Sequence, residues 1–241
     1  MALKNKSNCI VSLVSIIIFT LLTTTLPSYA QSSKRPPLRQ NNALQVGFKT
    51  FWNINSLYAS PNITTLTRNG RYSTLGVGFT ANVLLSEDLG FFLQSEILLS
   101  EKGGHYLYNI DNSRFASLTK SYWNLDIPIL FGKQIPIGFL EEIILKMYAG
   151  TVVSIHMAGN QRINYQPANY TLPNTRPYYA PLNVGYALGA SITVKGFMLD
   201  IRYQSSFTAL SSETYQVQGS AYNLNFKPHI FQIALGYTIQ F

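Results

Sequence analysis

Six charged residues of this 241-residue chain fall among small and polar neighbours, at alternating positions of extended-looking stretches: Lys49, Glu96, Asp126, Lys146, Asp200 and Arg202. Three are cations and three are carboxylates, so they cancel. Enclosed charges persist only when paired and hydrogen-bonded. The first chemistry open to them is therefore a structural network, with Glu96 and Asp126 neutralising Lys146, Lys49 or Arg202 across neighbouring strands. The second is a gated ion path or a proton relay, which ionisable groups in a membrane interior commonly mark. A third would use Glu96 and Asp126 as paired acid and base for hydrolysis. That requires the two carboxylates about 5–10 Å apart, in a substrate-sized cleft. Ser154 and His156 offer a fourth. Two apart on an extended chain, they point the same way, and an activated serine needs such a histidine plus an orienting acid. A lipid-modifying enzyme would further need that pair exposed towards lipid, whereas its parity sends it inward. His105 and His229 are not spaced as metal ligands. No cofactor is expected.

The elements that must position these groups are read from hydrophobic period. The chain finishes "IFQIALGYTIQF", in which Phe231, Ile233, Leu235, Tyr237, Ile239 and Phe241 alternate with small or polar residues. Period two is the mark of a strand with one apolar face. Eight such segments recur, at about 43–53, 72–86, 89–101, 120–132, 144–157, 182–195, 197–207 and 229–241, with ends uncertain by about 2–4 residues. The second face of these strands carries the six charges, together with glycines such as Gly47, Gly76, Gly78, Gly185, Gly189 and Gly236.

The connections alternate between short turns, such as Lys195–Gly196, and long links over 54–71, 102–119, 158–181 and 208–228. Short turns at one end and long loops at the other is the arrangement of outer-membrane barrels. A lipocalin is also an eight-stranded up-and-down barrel, but with its apolar face inward. Six charges over eight strands are too few for a face in water, and glycine suits a crowded interior. Aromatics also mark the strand ends on the apolar face, as membrane interfaces select. Trp52 and Trp123 stand at the long-link end. Phe197, Tyr237 and Phe241 stand at the short-turn end, with Phe91 and Phe131 beside them. The expected fold is all-β: an eight-stranded antiparallel up-and-down transmembrane β-barrel over residues 43–241. Its lumen is filled by side chains, because eight strands leave no open pore.

The amino terminus sets the compartment. Lys4 and Lys6 precede the apolar run "CIVSLVSIIIFTLL" and then "PSYA", the pattern of a cleaved signal peptide over residues 1–30. The sole cysteine, Cys9, lies within it, so the mature chain would carry no thiol. Residues 31–42, "QSSKRPPLRQNN", read as a flexible basic lead-in. Charged residues make up 12% of the chain, against about 25% in soluble domains. The net charge of +8 falls to +6 once Lys4 and Lys6 leave. For a secreted barrel such a balance points to anionic surface lipid and not to nucleic acid. The long links are rich in cations, Lys102 and Lys120 among them, and one is dense in tyrosine and asparagine (Tyr165, Tyr170, Tyr178, Tyr179), the adaptable contact residues of recognition loops. An even number of strands places both mature ends in the periplasm.

Beside this reading stands a resemblance. "LGVGFTANVLLSEDLGFFLQSEILLSEKGG", "SYWNLDIPILFGK" and "LKMYAGTVVSIHMAG" resemble the PorT-like outer-membrane β-barrel family of the Bacteroidota. Glu96, Leu98, Ser100, Lys102 and Gly103 match its first motif. Leu125, Asp126, Ile127 and Pro128 match the second, with aspartate where glutamate is common, and Tyr148 and Gly150 match the third. The resemblance implies a Gram-negative outer-membrane location and the same barrel fold. It also implies an assembly signal in the last strand, ending at Phe241, that the barrel assembly machinery would read. For function it implies either a non-enzymatic structural or interaction role or an accessory place in a type IX secretion or gliding apparatus, with proteins of that apparatus as partners.

Overall fold

The computed structural model describes residues 44–60, 66–68, 70–86, 88–111, 114–137, 143–166, 178–217 and 220–240. The expected signal peptide, the lead-in and Phe241 lie outside them, as does Tyr170 of the long links. Among the described residues the regular elements are eleven strands: β1 (Leu44–Ser60), β2 (Leu66–Arg68), β3 (Tyr72–Ser86), β4 (Phe91–Asp111), β5 (Arg114–Pro136), β6 (Ile143–Gln166), β7 (Tyr178–Tyr179), β8 (Leu182–Val194), β9 (Phe197–Ser206), β10 (Ser211–Val217) and β11 (Ser220–Gln240). Eight of them, β1, β3, β4, β5, β6, β8, β9 and β11, form a wall of antiparallel neighbours, and β1 pairs with β11 from Gln45↔Gln240 to Ser60↔Asn225. The sheet thus closes on itself and leaves these strands no long unpaired edge, the condition for crossing lipid. These are the eight segments expected from the period.

The strands run further than expected on the long-connection side. β4, β5, β6 and β11 have 21, 23, 24 and 21 residues, against about 9–11 needed to cross a bilayer at a tilt. Of the tract 102–119, expected as a link, residues 102–111 and 114–119 are the outer parts of β4 and β5, with Lys102↔Tyr122, Gly104↔Lys120 and Tyr106↔Leu118 in register. The physical reason is that alternation continues there in disguise: Lys102, Tyr106, Leu118 and Tyr122 all turn inward and are buried. Past the end of β3, β2 takes over beside β4 (Leu66↔Tyr108). Past the end of β9, β10 takes over beside β11 (Ser211↔Phe226), and β7 flanks β10. The wall therefore continues beyond the point where the shorter strands stop.

The β8–β9 turn has Lys195 at φ 50° and Gly196 at φ 87°, both in the left-handed region that a two-residue hairpin requires. Inside, glycines make room for large neighbours. Lys49 lies between Gly78 of β3 and Gly236 of β11, where a Cβ at Gly236 would stand 2.9 Å from that of Lys49. Apolar side chains fill two levels of the interior. One holds Phe92, Leu130, Tyr148, Val152 and Ala187; the other holds Phe51, Leu98 and Ala234. Towards the long-connection side Leu57, Tyr106, Leu118, Tyr122, Leu210, Leu224 and Phe226 are also buried. Tyr106 donates a hydrogen bond to the Leu57 carbonyl at 2.6 Å and meets Phe226 edge-on at 5.5 Å. An eight-stranded girth is filled by such side chains.

Candidate functional site

Between the apolar levels lie two polar networks. The first crosses the lumen. Glu96 of β4 accepts both terminal nitrogens of Arg202 (β9) at 2.7 and 2.8 Å, a two-pronged pair, and Lys49 Nζ (β1) at 2.8 Å. Asp200 accepts from Lys49 at 3.0 Å and from Arg202 at 3.1 Å. Tyr148 of β6 donates to Asp200 and accepts from Arg202 Nε at 3.1 Å, and Gln94 donates to Glu96 at 2.6 Å. The four charged side chains are at most 1% exposed. Two cations and two carboxylates balance, and every charged end has opposite charge within hydrogen-bonding distance, the condition under which buried ions are tolerated.

The second network stays on one wall. Asp126 of β5 accepts from Lys102 Nζ at 2.7 Å and from Ser100 Oγ at 2.6 Å, both on β4, and Lys102 also donates to Ser154 Oγ of β6 at 2.9 Å. A void of about 10 Å³ borders Lys102, Ser154 and Gln204. This corrects two expectations. Asp126 neutralises Lys102 and none of Lys146, Lys49 or Arg202. Lys102 and Lys120, counted among the cations of the long links, are 2% and 1% exposed, so neither adds to a basic surface there. Nor do the lumen charges cancel three against three: among the described residues five cations, Lys49, Lys102, Lys120, Lys146 and Arg202, line it with Glu96, Asp126 and Asp200. Lys120 Nζ stands 3.7 Å from the centre of the Phe226 ring, a cation–π placement.

The remaining expected residues separate. Lys146 is buried, but its ammonium bonds the Gln45 amide oxygen at 2.7 Å and lies 5.4 Å from the Phe92 ring, apart from both networks. Ser154 is buried and turned towards Lys102. A register shift at Trp123/Asn124 sets His156 opposite Asn124, and its ring lies 6.2 Å from that of Tyr122. The carboxylates of Glu96 and Asp126 belong to different networks, each held by cations. Among the described residues no three histidine, cysteine or acidic side chains gather as metal ligands. Sequence reasoning missed Tyr148 as a member of the crossing network. The available signal was its inward parity, between Lys146 and Gly150.

The outward face is apolar around the wall. Phe48, Leu75, Val77, Phe79, Ile97, Ile129, Ile201 and Leu235 are all exposed, as are Trp52 at 46% and Trp123 at 42%. Phe197, 70% exposed, meets Tyr237 edge-on at 5.2 Å beside the β8–β9 turn, and Phe91 stacks on Phe131 at 5.5 Å. An apolar surface of this extent is an interaction surface and not a wet one.

A family profile described as outer membrane protein beta-barrel domain matches residues 29–212. Among solved structures the chain is similar to outer membrane protein OprG of Pseudomonas aeruginosa, at 7% identity over 83% of this chain and 97% of that one, with a TM-score of 0.44. It is similar to Neisserial surface protein A at 11% identity over 81% and 96%, with a TM-score of 0.36. It is also similar to Ail, the attachment invasion locus protein of Yersinia pestis, at 9% identity over 81% and 99%, with a TM-score of 0.35; that structure holds the heparin analogue sucrose octasulfate. No curated protein matches in sequence.

Proposed function

The chain belongs to the outer membrane protein beta-barrel domain family, and from that premise we propose that it is a non-enzymatic structural or interaction barrel closed by its own side chains. The observation that carries this reading is the network of Lys49, Glu96, Asp200, Arg202 and Tyr148, which joins β1, β4, β6 and β9 across the lumen. A conduit or a substrate cleft would need that space. The exposed apolar belt faces acyl chains, with Trp52, Trp123, Phe197 and Tyr237 as its girdles. Residues 1–30 are removed on export, both mature ends lie in the periplasm, and the assembly machinery reads the last strand through Phe241. The long connections then stand outside the cell. Five of the residues behind the PorT-like resemblance belong to the two networks: Glu96, Ser100, Lys102, Asp126 and Tyr148. This supports a shared scheme of interior packing with that Bacteroidota family. It bears on the barrel and not on a secretion partner.

Two measurements test the reading. In liposomes the purified barrel should give no swelling in small sugars; swelling like that of a porin would refute the closed lumen. Because Cys9 is the only cysteine, single cysteines report topology. Asn164→Cys should react with an impermeant maleimide on intact cells, and Asp88→Cys only after permeabilisation. The reverse pattern would invert the barrel.

A further inference from the structure

The outward rim of the wall on the long-connection side is not uniform in charge. On the β1–β9–β11 side, Arg68 lies 4.8 Å from the Tyr58 ring, and Tyr58 meets His229 edge-on at 4.5 Å. The Tyr203 hydroxyl is 2.6 Å and Ser205 Oγ 3.2 Å from His229 Nδ1. Lys227 is the register partner of Tyr58, and both Lys227 and Arg68 lie within electrostatic reach of the His229 ring. Among the described residues, neither Arg68 nor Lys227 pairs with a carboxylate. Immediately inward on the same outward face come Phe231, Ile201 and Leu199, all exposed. From Phe231 to Lys227 is four residues, about 13 Å along a strand. Two cations and three hydrogen-bonding side chains thus sit where the apolar belt ends, facing sideways.

On the β4–β6 side the same rim is built differently. Tyr72, Glu101, His105, Thr119, Trp123 and Arg162 surround a groove of about 640 Å³. There the Tyr72 hydroxyl donates to Glu101 at 2.9 Å. Glu101 and Arg162 line the same groove, and a carboxylate there repels an anion.

We infer that the Tyr58–Arg68–Tyr203–Lys227–His229 patch is a binding site for the phosphorylated headgroup of a multiply acylated outer-leaflet glycolipid. Its acyl chains lie along Phe231, Ile201 and Leu199, and its phosphate meets Arg68 and Lys227. The patch fits an amphiphile, and not a free anion, because cations and apolar belt adjoin on one laterally facing surface. Arg68 over an aromatic ring is held in place for a phosphate. A protein partner would have to approach within the membrane plane. The inference rests on the proposed orientation, with the long connections outside, which the Asn164→Cys labelling decides separately.

The test is native mass spectrometry of the purified full barrel, supplied with bisphosphorylated lipid A, with its dephosphorylated form or with phosphatidylglycerol at equal ratio. Wild type should retain bisphosphorylated lipid A at least tenfold above the dephosphorylated form. Arg68→Ala/Lys227→Ala should lose that excess while remaining heat-modifiable on a gel, the sign of a folded barrel. Arg162→Ala should keep it, and millimolar inorganic phosphate should not compete. Equal retention by the double variant, an equal loss in Arg162→Ala, preference for phosphatidylglycerol or displacement by inorganic phosphate would each overturn the site.

Discussion

The crossing network and the wall network use the same residue types and are held in different ways. In the first, Glu96 bridges cations from β1 and β9, 47 and 106 residues away in sequence. In the second, Asp126 draws on β4 alone, and its cation reaches only the next strand, β6. The first ties opposite walls, so each of its charges depends on contacts that exist only after closure. The second can form within three consecutive strands. Burial alone does not set what a charge contributes; the number of opposite charges it would strand decides.

The largest effect should come from Glu96→Ala, which leaves both Lys49 and Arg202 short of a carboxylate inside the lumen. Removing one partner of a buried pair costs about 3–5 kcal/mol, and the loss should fall at the top of that range. The readout is the urea midpoint of the heat-modifiable, folded band. Asp126→Ala should rank second, near the lower end of the range, because Lys102 keeps Ser154. The neighbouring void is also about the size that one water needs. Equal midpoints for the two variants would erase the distinction between the networks. Lys102→Met combined with Asp126→Leu should recover to within about 1 kcal/mol of wild type, since replacing a whole buried pair by apolar residues is often neutral. The same treatment of the crossing network, Lys49→Met with Glu96→Leu, should recover less, because Arg202 loses its two-pronged partner and keeps one longer bond to Asp200. Smallest of all should be Asp88→Ala, in the exposed β3–β4 turn, within about 0.5 kcal/mol.

How far the sequence disclosed this arrangement follows from the same physics. The eight wall strands were legible because a two-faced strand between unlike media must alternate, and a register slip would turn every side chain to the wrong side. Lys49, Glu96, Asp126, Lys146, Asp200 and Arg202 all lie inside as parity required. Who pairs with whom was not legible. Glu96 and Arg202 are 106 residues apart and meet only across the closed ring, a contact no local pattern encodes. Lys102 and Lys120 were misplaced because a polar tract with Gly103–Gly104 looks like a link, although it pairs as the outer hairpin of β4 and β5. Tyr148 was missed because a tyrosine carries no charge to count, yet it bonds both Asp200 and Arg202.

Single-channel recording tests the central claim most directly, since that claim is a lumen blocked by an ion-pair network tied across it. Wild-type barrel inserted in a planar bilayer should show no persistent conductance steps at either polarity. Glu96→Ala, at a urea concentration where it stays folded, should show at most brief flickers as the loosened network admits water. Steady ohmic steps from the wild-type protein would contradict the account, because ions would then be passing where Lys49, Glu96, Asp200 and Arg202 are placed.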